Sequence, residues 1–175
     1  MSKHEIDTDR LLLRRWKPDD HAAFAAMCND PDVMRYIGNG ATRTSDDAAR
    51  YIASFEKEWN ECGFGLFAVE LKQTGDLIGF TGFALPAFLP EVLPSVEIGW
   101  RFSSQTWGNG YASEAATASL SFGTTNLGIT DIVSICQTGN EASKRIMQKL
   151  GLVFDRTTLD PSCMREVVVY RLPWP

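Results

Sequence analysis

Residues 105–114 read Gln105-Thr106-Trp107-Gly108-Asn109-Gly110-Tyr111-Ala112-Ser113-Glu114, between a strand-like run at Val96–Phe102 and a helix-like run at residues 112–127. Glycines remove the Cβ atoms that block close approach of a ligand, so successive backbone N–H groups can point at one anion. The following helix adds its unbonded N–H groups and the positive end of its dipole. The stretch therefore predicts a phosphate-binding turn, with an ordinary tight turn as the alternative.

Two common nucleotide-binding motifs do not fit this turn. No Gly-Lys-Ser/Thr follows it, as a P-loop for ATP or GTP requires. Ser113 stands where the third glycine of a Gly-x-Gly-x-x-Gly fingerprint belongs, and the turn lies in the middle of the chain rather than in an opening βαβ unit. The sequence therefore argues against both classes of nucleotide-binding protein.

The composition is that of an ordinary globular protein. The chain has 175 residues, 44% of them hydrophobic and 22% charged, so we predict one domain over residues 1–175. The formal net charge of −5 argues against nucleic acid as the main ligand. The cysteines form no Cys-x-x-Cys motif and do not cluster with the histidines, which argues against a metal site and favours free thiols in a reducing compartment; they are Cys28, Cys62, Cys136 and Cys163.

The N-terminal residues lack the apolar core of a secretion signal, and no apolar run reaches about 18 residues. We therefore expect a cytoplasmic protein with no membrane partner.

Hydrophobic periodicity predicts a mixed α/β fold in the order β-α-α-β-β-β-α-β-α-β-β. The predicted strands cover residues 11–16, 66–71, 77–83, 96–102, 131–136, 152–154 and 165–172, and the predicted helices cover residues 21–28, 44–62, 112–127 and 141–150. On the second helix, Tyr51 and Trp59 share one face, which is typical of a core. The sequence leaves open whether Tyr36, Tyr51 or Trp59 lines a substrate groove instead.

Several linked motifs resemble the GNAT N-acetyltransferases. Residues 105–110 match the Gln/Arg-x-x-Gly-x-Gly/Ala signature of that family. Further matches occur in the same order along nearly the whole chain, at Thr8-Asp9-Arg10-Leu11-Leu12-Leu13-Arg14, Glu97-Ile98-Gly99-Trp100, Tyr111-Ala112-Ser113-Glu114-Ala115 and Asn140-Glu141-Ala142-Ser143-Lys144. The pattern is most similar to the branch of ribosomal-protein alanine and serine N-terminal acetyltransferases.

The resemblance implies acetyl-coenzyme A as the acetyl donor and a primary amine as the acceptor. It implies a central, mostly antiparallel sheet with a splayed parallel strand pair at Val96–Phe102 and residues 131–136, flanked by helices. The pantetheine arm would lie in that splay and bond the backbone at Trp100 and Phe102, with Asn140 on the other side. The pyrophosphate would lie on the turn; the residues expected around it are Gln105, Trp107, Gly108, Asn109, Gly110, Tyr111 and Ala112. Lys144 and Arg145 would reach the phosphates, or are solvated helix charges.

Acetyl transfer requires a base for the amine proton, and Glu97 is our candidate, because it is a carboxylate in an apolar strand beside the turn. The alternative is a structural carboxylate that bonds a neighbouring strand. Glu114 is a weaker candidate, since a carboxylate in the first turn of a helix stabilises that terminus. Many relatives carry a proton-donating tyrosine where this chain has Met147. Ser143 is the best substitute, unless its hydroxyl bonds its own helix backbone or the thiolate leaves without a dedicated acid.

The resemblance leaves the acceptor open. A protein N-terminus, a small amine such as an antibiotic, a polyamine or an amino acid all fit, and so does a non-catalytic sensor of acetyl-coenzyme A. A homodimer is also consistent with the sequence, with Trp174 as either a surface anchor or part of the contact.

Overall fold

The computed structural model describes residues 4–173, so Trp174 lies outside the described residues. The strands are β1 (Ile6–Asp7), β2 (Leu11–Arg14), β3 (Leu66–Leu71), β4 (Leu77–Ala84), β5 (Val96–Phe102), β6 (Ile132–Gln137), β7 (Val153–Asp160) and β8 (Arg165–Arg171). The helices are α1 (Asp20–Cys28), α2 (Pro31–Met34), α3 (Ser45–Cys62), α4 (Tyr111–Thr125) and α5 (Glu141–Lys149). Within this range, no helix is both long and apolar enough to cross a membrane.

The strands form an eight-stranded sheet in the order β1-β2-β3-β4-β5-β6-β8-β7. Neighbouring strands are antiparallel except β5 and β6, which are parallel. These two pair only where Val96 meets Ile132 and Glu97 meets Val133. Beyond that point both strands continue without a ladder between them. The predicted mixed α/β fold, with its mostly antiparallel sheet and splayed parallel pair, is confirmed.

Phe80 and Phe83 of β4 show how the sheet divides the molecule. They are three residues apart in a regular register, so they point to opposite faces. Phe80 packs against Phe24 of α1, with ring centroids 6.0 Å apart. Phe83 shares a buried cluster with Met147 of α5. We call these two sides the α1/α3 face and the α4/α5 face.

Helix α3 matches the helix predicted over residues 44–62 to within one residue. Thr44 and Asp47 form a reciprocal capping box at its start, and Gly63 ends it with a left-handed φ of +74°. Trp59 is 3% exposed and donates its indole N–H to the Leu66 carbonyl at 3.1 Å. The core interpretation therefore holds for Trp59, whereas Tyr51 stays partly accessible.

The structure departs from the predicted elements at two strands and one helix. β1 has only two residues and α2 only four, which is too short for a periodic pattern. The strand predicted at residues 152–154 extends to Asp160 as β7. β7 is an edge strand with mostly exposed side chains, including Phe154 at 56%. Such a strand lacks the buried apolar positions that reveal a strand in sequence.

Candidate active site

The turn between β5 and α4 has an open backbone face. A short 3₁₀ turn at Ser104–Thr106 follows β5, and Gly108 and Gly110 then adopt φ values of +79° and +80°. Gly110 is the N-cap residue of α4, and no side chain caps that helix. Among the described residues, none accepts a hydrogen bond from the amides of residues 108–110. A Cβ atom on Gly108 would meet nothing within 4 Å, so this turn fits an anion.

Two side chains of the turn stabilise it by donating hydrogen bonds to backbone carbonyls. Trp107 donates its indole N–H to the Phe102 carbonyl at 3.0 Å, and Asn109 donates to the Thr106 carbonyl at 3.0 Å. The backbone N–H of Trp107 donates to the Ser104 carbonyl. The backbone N–H groups of residues 108–110 have no such partner within residues 4–173 and can face a ligand. Gln105 is exposed within the 3₁₀ turn.

Arg10 adds a cation to this turn, and the sequence reasoning did not single it out. Its Nη1 donates to the Asn109 carbonyl at 3.0 Å, and its guanidinium lies 4.5 Å from the ring centroid of Tyr111. Glu114 holds Arg10 in place by accepting from its Nε at 2.7 Å. Thr8 also donates to Glu114, at 2.7 Å. The Thr8-Asp9-Arg10 motif was the sequence signal for this contact. Its partner Glu114 lies more than 100 residues away in the chain, so the sequence does not reveal the pairing.

Glu114 takes part in this contact with Thr8 and Arg10 rather than acting as a base. Burial raises the pKa of Glu114, but the hydrogen bonds from Thr8 and Arg10 outweigh burial and leave the pKa below its usual value. A carboxylate that stays ionised and paired is a poor proton acceptor. Glu114 therefore stabilises the start of α4.

The splay between β5 and β6 begins at Glu97. From residue 98 to Phe102, the edge of β5 that faces β6 has no strand partner. Phe102 is buried and Trp100 is half-buried along this stretch. Free backbone groups on a strand edge can bond an extended amide chain as a further strand would. The splay therefore offers an unpaired strand edge that runs between Glu97 and the open turn.

Glu97 lies at the closed end of the splay, where β5 and β6 still pair, and remains partly accessible. Burial raises its pKa to about 8, the backbone N–H of Ile135 opposes the rise, and the negative charge of Glu58 adds to it. A carboxylate with a pKa near the working pH is suited to accept a proton from an amine.

Asn140 and Ser143 lie on the other side of the splay, at the start of α5. The side chain of Asn140 caps this helix by accepting from the Ser143 backbone N–H at 3.1 Å, which leaves its amide N–H₂ group for a ligand. Burial raises the pKa of the Cys136 thiol on β6, and a hydrogen bond from the Ser143 side chain opposes that rise. The Ser143 hydroxyl therefore lies beside Cys136.

The remaining α5 residues differ in their accessibility. Lys144 forms an ion pair with Glu141 one turn earlier, so its charge is already partnered. Arg145 is exposed. Met147 is fully buried in the core on the α4/α5 face, so this position offers neither a proton nor contact with a ligand.

A loop at residues 35–44 lies over the α1/α3 face near the splay. Gln137, at the end of β6, donates to the Gly38 carbonyl at 2.7 Å, and Arg165 donates to Gln137 at 3.0 Å and to the Asn39 carbonyl at 2.6 Å. A Cβ atom on Gly139 would lie 3.1 Å from the Tyr36 ring and 3.6 Å from its hydroxyl. Tyr36 therefore lies beside the turn that leads to Asn140 and Ser143.

Comparisons with known proteins agree with this geometry. The profile of the acetyltransferase (GNAT) domain matches residues 10–153. The uncharacterized N-acetyltransferase YoaA of Bacillus subtilis (strain 168) is 32% identical over 146 residues, which cover 83% of this chain and 81% of that protein. The crystal structure of a GNAT-family acetyltransferase from Bacillus anthracis is 27% identical, covers 95% of this chain and 96% of its own, and superposes with a TM-score of 0.78.

The ribosomal L7/L12 alpha-N-protein acetyltransferase RimL, solved in complex with coenzyme A, shares the fold. It superposes with a TM-score of 0.79 at 12% identity and covers 96% of this chain and 97% of its own. The fold, the open glycine turn and the matches to family and relatives lead to one conclusion. The chain belongs to the GNAT family of acetyltransferases, enzymes that use acetyl-coenzyme A.

Proposed function

We propose that this protein transfers the acetyl group of acetyl-coenzyme A directly to a primary amine, either a protein N-terminus or a small amine, within a ternary complex. The observation that carries the proposal is the position of Glu97, a partly accessible carboxylate with a pKa of about 8 at the closed end of the splay. Acetyl-coenzyme A supplies the activated acetyl thioester. The chain supplies the binding groups and the proton acceptor.

The amides of residues 108–112 and the start of α4 would bind the pyrophosphate, with Arg10 as a nearby cation. The unpaired edge of β5 at Trp100 and Phe102 would bond the pantetheine arm, and the amide N–H₂ group of Asn140 would approach it from the other side. These contacts orient the thioester towards Glu97. Lys144 is a second candidate for the phosphates, although it must first leave Glu141.

Glu97 would accept the proton of the acceptor ammonium, directly or through a water molecule, because only the neutral amine is a nucleophile. Ser143 would donate a hydrogen bond from its hydroxyl to the departing sulfur and so stabilise the thiolate, which then takes up a proton from water. Direct transfer is supported by Cys136, the cysteine beside Ser143. Burial raises the pKa of its thiol to about 11, so it stays protonated at neutral pH and does not compete as an acyl acceptor.

Titration calorimetry with acetyl-coenzyme A, followed by a thiol-release assay on amines and N-terminal peptides, tests the proposal. We expect binding and release on one class of acceptor. Glu97→Gln should lower kcat about 100-fold and leave the affinity for acetyl-coenzyme A unchanged. The matched control is Glu61→Gln, an exposed glutamate on α3 with a side-chain exposure of 62%. Binding without release on any acceptor would favour a sensor of acetyl-coenzyme A instead.

A further inference from the structure

The guanidinium group of Arg101, on β5, lies on the α1/α3 face and makes only weak contacts there. It pairs across the ladder with Phe80, and its guanidinium carbon lies 5.2 Å from the centroid of that ring. Its Nη1 atom lies 3.9 Å from the sulfur of Cys28. Its Nε is buried and has no hydrogen-bond partner. Within residues 4–173, no carboxylate lies within 4.0 Å of this guanidinium.

Arg14 shows how the same chain satisfies a structural arginine. Arg14 is 5% exposed, and Asp20 accepts from both of its Nη atoms at 2.8 Å. Glu70 accepts from its Nε at 2.7 Å. A buried guanidinium that serves only the fold is therefore fully paired here, as the cost of burying a charge requires. Arg101 has none of these anions, although burial lowers the pKa of its guanidinium.

A second guanidinium approaches the same place. Arg43 donates from its Nε to the Tyr51 hydroxyl at 3.3 Å, and its remaining bonds go to the backbone carbonyls of residues 41 and 42 and to the amide oxygen of Asn39. The charges of Arg43 and Arg101 repel one another, and both interact with Tyr51. Two cations that share a neighbour and lack a described carboxylate are the arrangement that binds an anion.

The position of Arg101 relates this pair to the acceptor rather than to the phosphate turn. Its side chain lies over Phe80 of β4, on the side of β5 away from β6 and the splay. Glu97 is four residues earlier on the same strand and points to the same face. Four strand residues span about 13 Å.

We propose that Arg101 and Arg43 bind an anionic group of the acceptor, so that the preferred acceptor is an amine that also carries a carboxylate or a phosphate. This inference rests on the proposed function, because the amine is assumed to approach Glu97. The backbone positions of Arg101 and Glu97 lie about 13 Å apart along β5, which is about the span from the amine of an extended peptide to its fourth residue. A short peptide with an acidic residue near its N-terminus therefore fits better than a polyamine.

Matched peptides test the inference. Three C-terminally amidated pentapeptides carry aspartate, phosphoserine or asparagine at the fourth position and are otherwise identical. We expect the two anionic peptides to have a KM at least about tenfold below that of the asparagine peptide, with similar kcat. The anionic peptide with the lower KM shows whether the site prefers a carboxylate or a phosphate. Arg101→Gln should abolish the preference, Arg101→Lys should restore part of it, and Arg50→Gln, on the exposed side of α3, should keep it.

Binding separates this inference from the proposed function. Calorimetry of the three peptides on protein saturated with coenzyme A should show the same preference, which depends on Arg101. Transfer to all three peptides with equal KM would overturn the inference and leave the proposed function intact. Preferential binding of an anionic peptide without transfer would uphold the anion site and count against the enzyme.

Two further readouts keep the inference testable if Arg101 variants fold poorly. Arg43→Gln changes a half-buried residue and should weaken the same preference. Arg101→Met should not lower the melting temperature of the ligand-free protein, because it removes an unpaired cation. A large fall in melting temperature for Arg101→Met, together with an unchanged preference in Arg43→Gln, would assign Arg101 to the core. A loss of affinity for acetyl-coenzyme A in folded Arg101→Gln would assign it to the donor phosphates.

Discussion

Glu58 places a second carboxylate beside Glu97. Its Oε1 accepts from the backbone N–H of Leu85 at 2.8 Å, and Leu85 follows Ala84, the cross-strand partner of Glu97. Burial raises the pKa of Glu58, while the bond from Leu85 opposes that rise. The negative charge of Glu58 also raises the pKa of Glu97. An α3 residue therefore adjusts the candidate base from outside its strand.

The first prediction concerns the pH–rate profile. If Glu97 must be ionised to accept a proton, kcat/KM should rise with pH and level off above about pH 8. Glu58→Gln removes a repelling charge, so the rise should move to lower pH and the rate at pH 7 should increase about two- to fivefold. Glu61→Gln, one turn away and exposed, should leave the profile unchanged. A profile that Glu58→Gln does not move would mean that the two carboxylates do not interact.

The second prediction concerns the free energy of unfolding. Folded Glu97 keeps its proton up to about pH 8, whereas an unfolded glutamate releases it near 4.5. The native state therefore binds more protons between these values, and this contribution to stability is lost as pH rises from about 4.5 to about 8. Glu97→Gln removes the loss, so the variant should match the wild type at pH 4.5 and exceed it by about 5 kcal/mol at pH 8.5, since each pH unit between the two pKa values contributes about 1.4 kcal/mol. Urea denaturation at both pH values measures this. Equal differences at the two pH values would contradict it.

The third prediction concerns the phosphate turn. Gly110→Glu should lower the affinity for acetyl-coenzyme A at least about 100-fold, because it adds bulk and negative charge where the pyrophosphate is expected. Gly128→Glu is the matched control, since Gly128 also has a positive φ, of +67°, with open space around its Cβ position. Both variants carry the same backbone strain. If calorimetry finds equal affinities in the two folded variants, the turn does not bind the phosphates.

The fourth prediction separates two candidate proton donors. Ser143→Ala should lower kcat about tenfold while KM for acetyl-coenzyme A is unchanged, because the hydroxyl acts on the departing sulfur. Tyr36→Phe tests the Tyr36 hydroxyl, which lies beside Gly139 in the loop on the α1/α3 face. We expect it to have a smaller effect on kcat. The reverse order in steady-state kinetics would transfer the donor role to Tyr36, and two normal variants would mean that the sulfur leaves without a dedicated acid.

Local signals in the sequence predicted much of the fold. The predicted helix over residues 44–62 matches α3, and the predicted strand at Val96–Phe102 matches β5. β7 was predicted too short, because solvated edge-strand residues carry little hydrophobic pattern. Lys144 was predicted either to reach the phosphates or to be a solvated helix charge, and the structure adds an ion pair with Glu141 that the sequence alone did not reveal.

The glycine turn and the strand that carries Glu97 could be predicted from the sequence, because they depend on residues that are close in the chain, where spacing and backbone preference act directly. The splayed parallel strands were predicted only through the resemblance of the linked motifs to the GNAT family. The surroundings of the site follow from tertiary contacts: Glu58 beside Glu97, Arg43 beside Arg101, Arg10 at the turn and Gln137 bonded to Gly38 across 99 residues. Such contacts join distant segments. Burial and charge at those contacts raise the pKa of Glu97 and leave Arg101 without a carboxylate partner among residues 4–173.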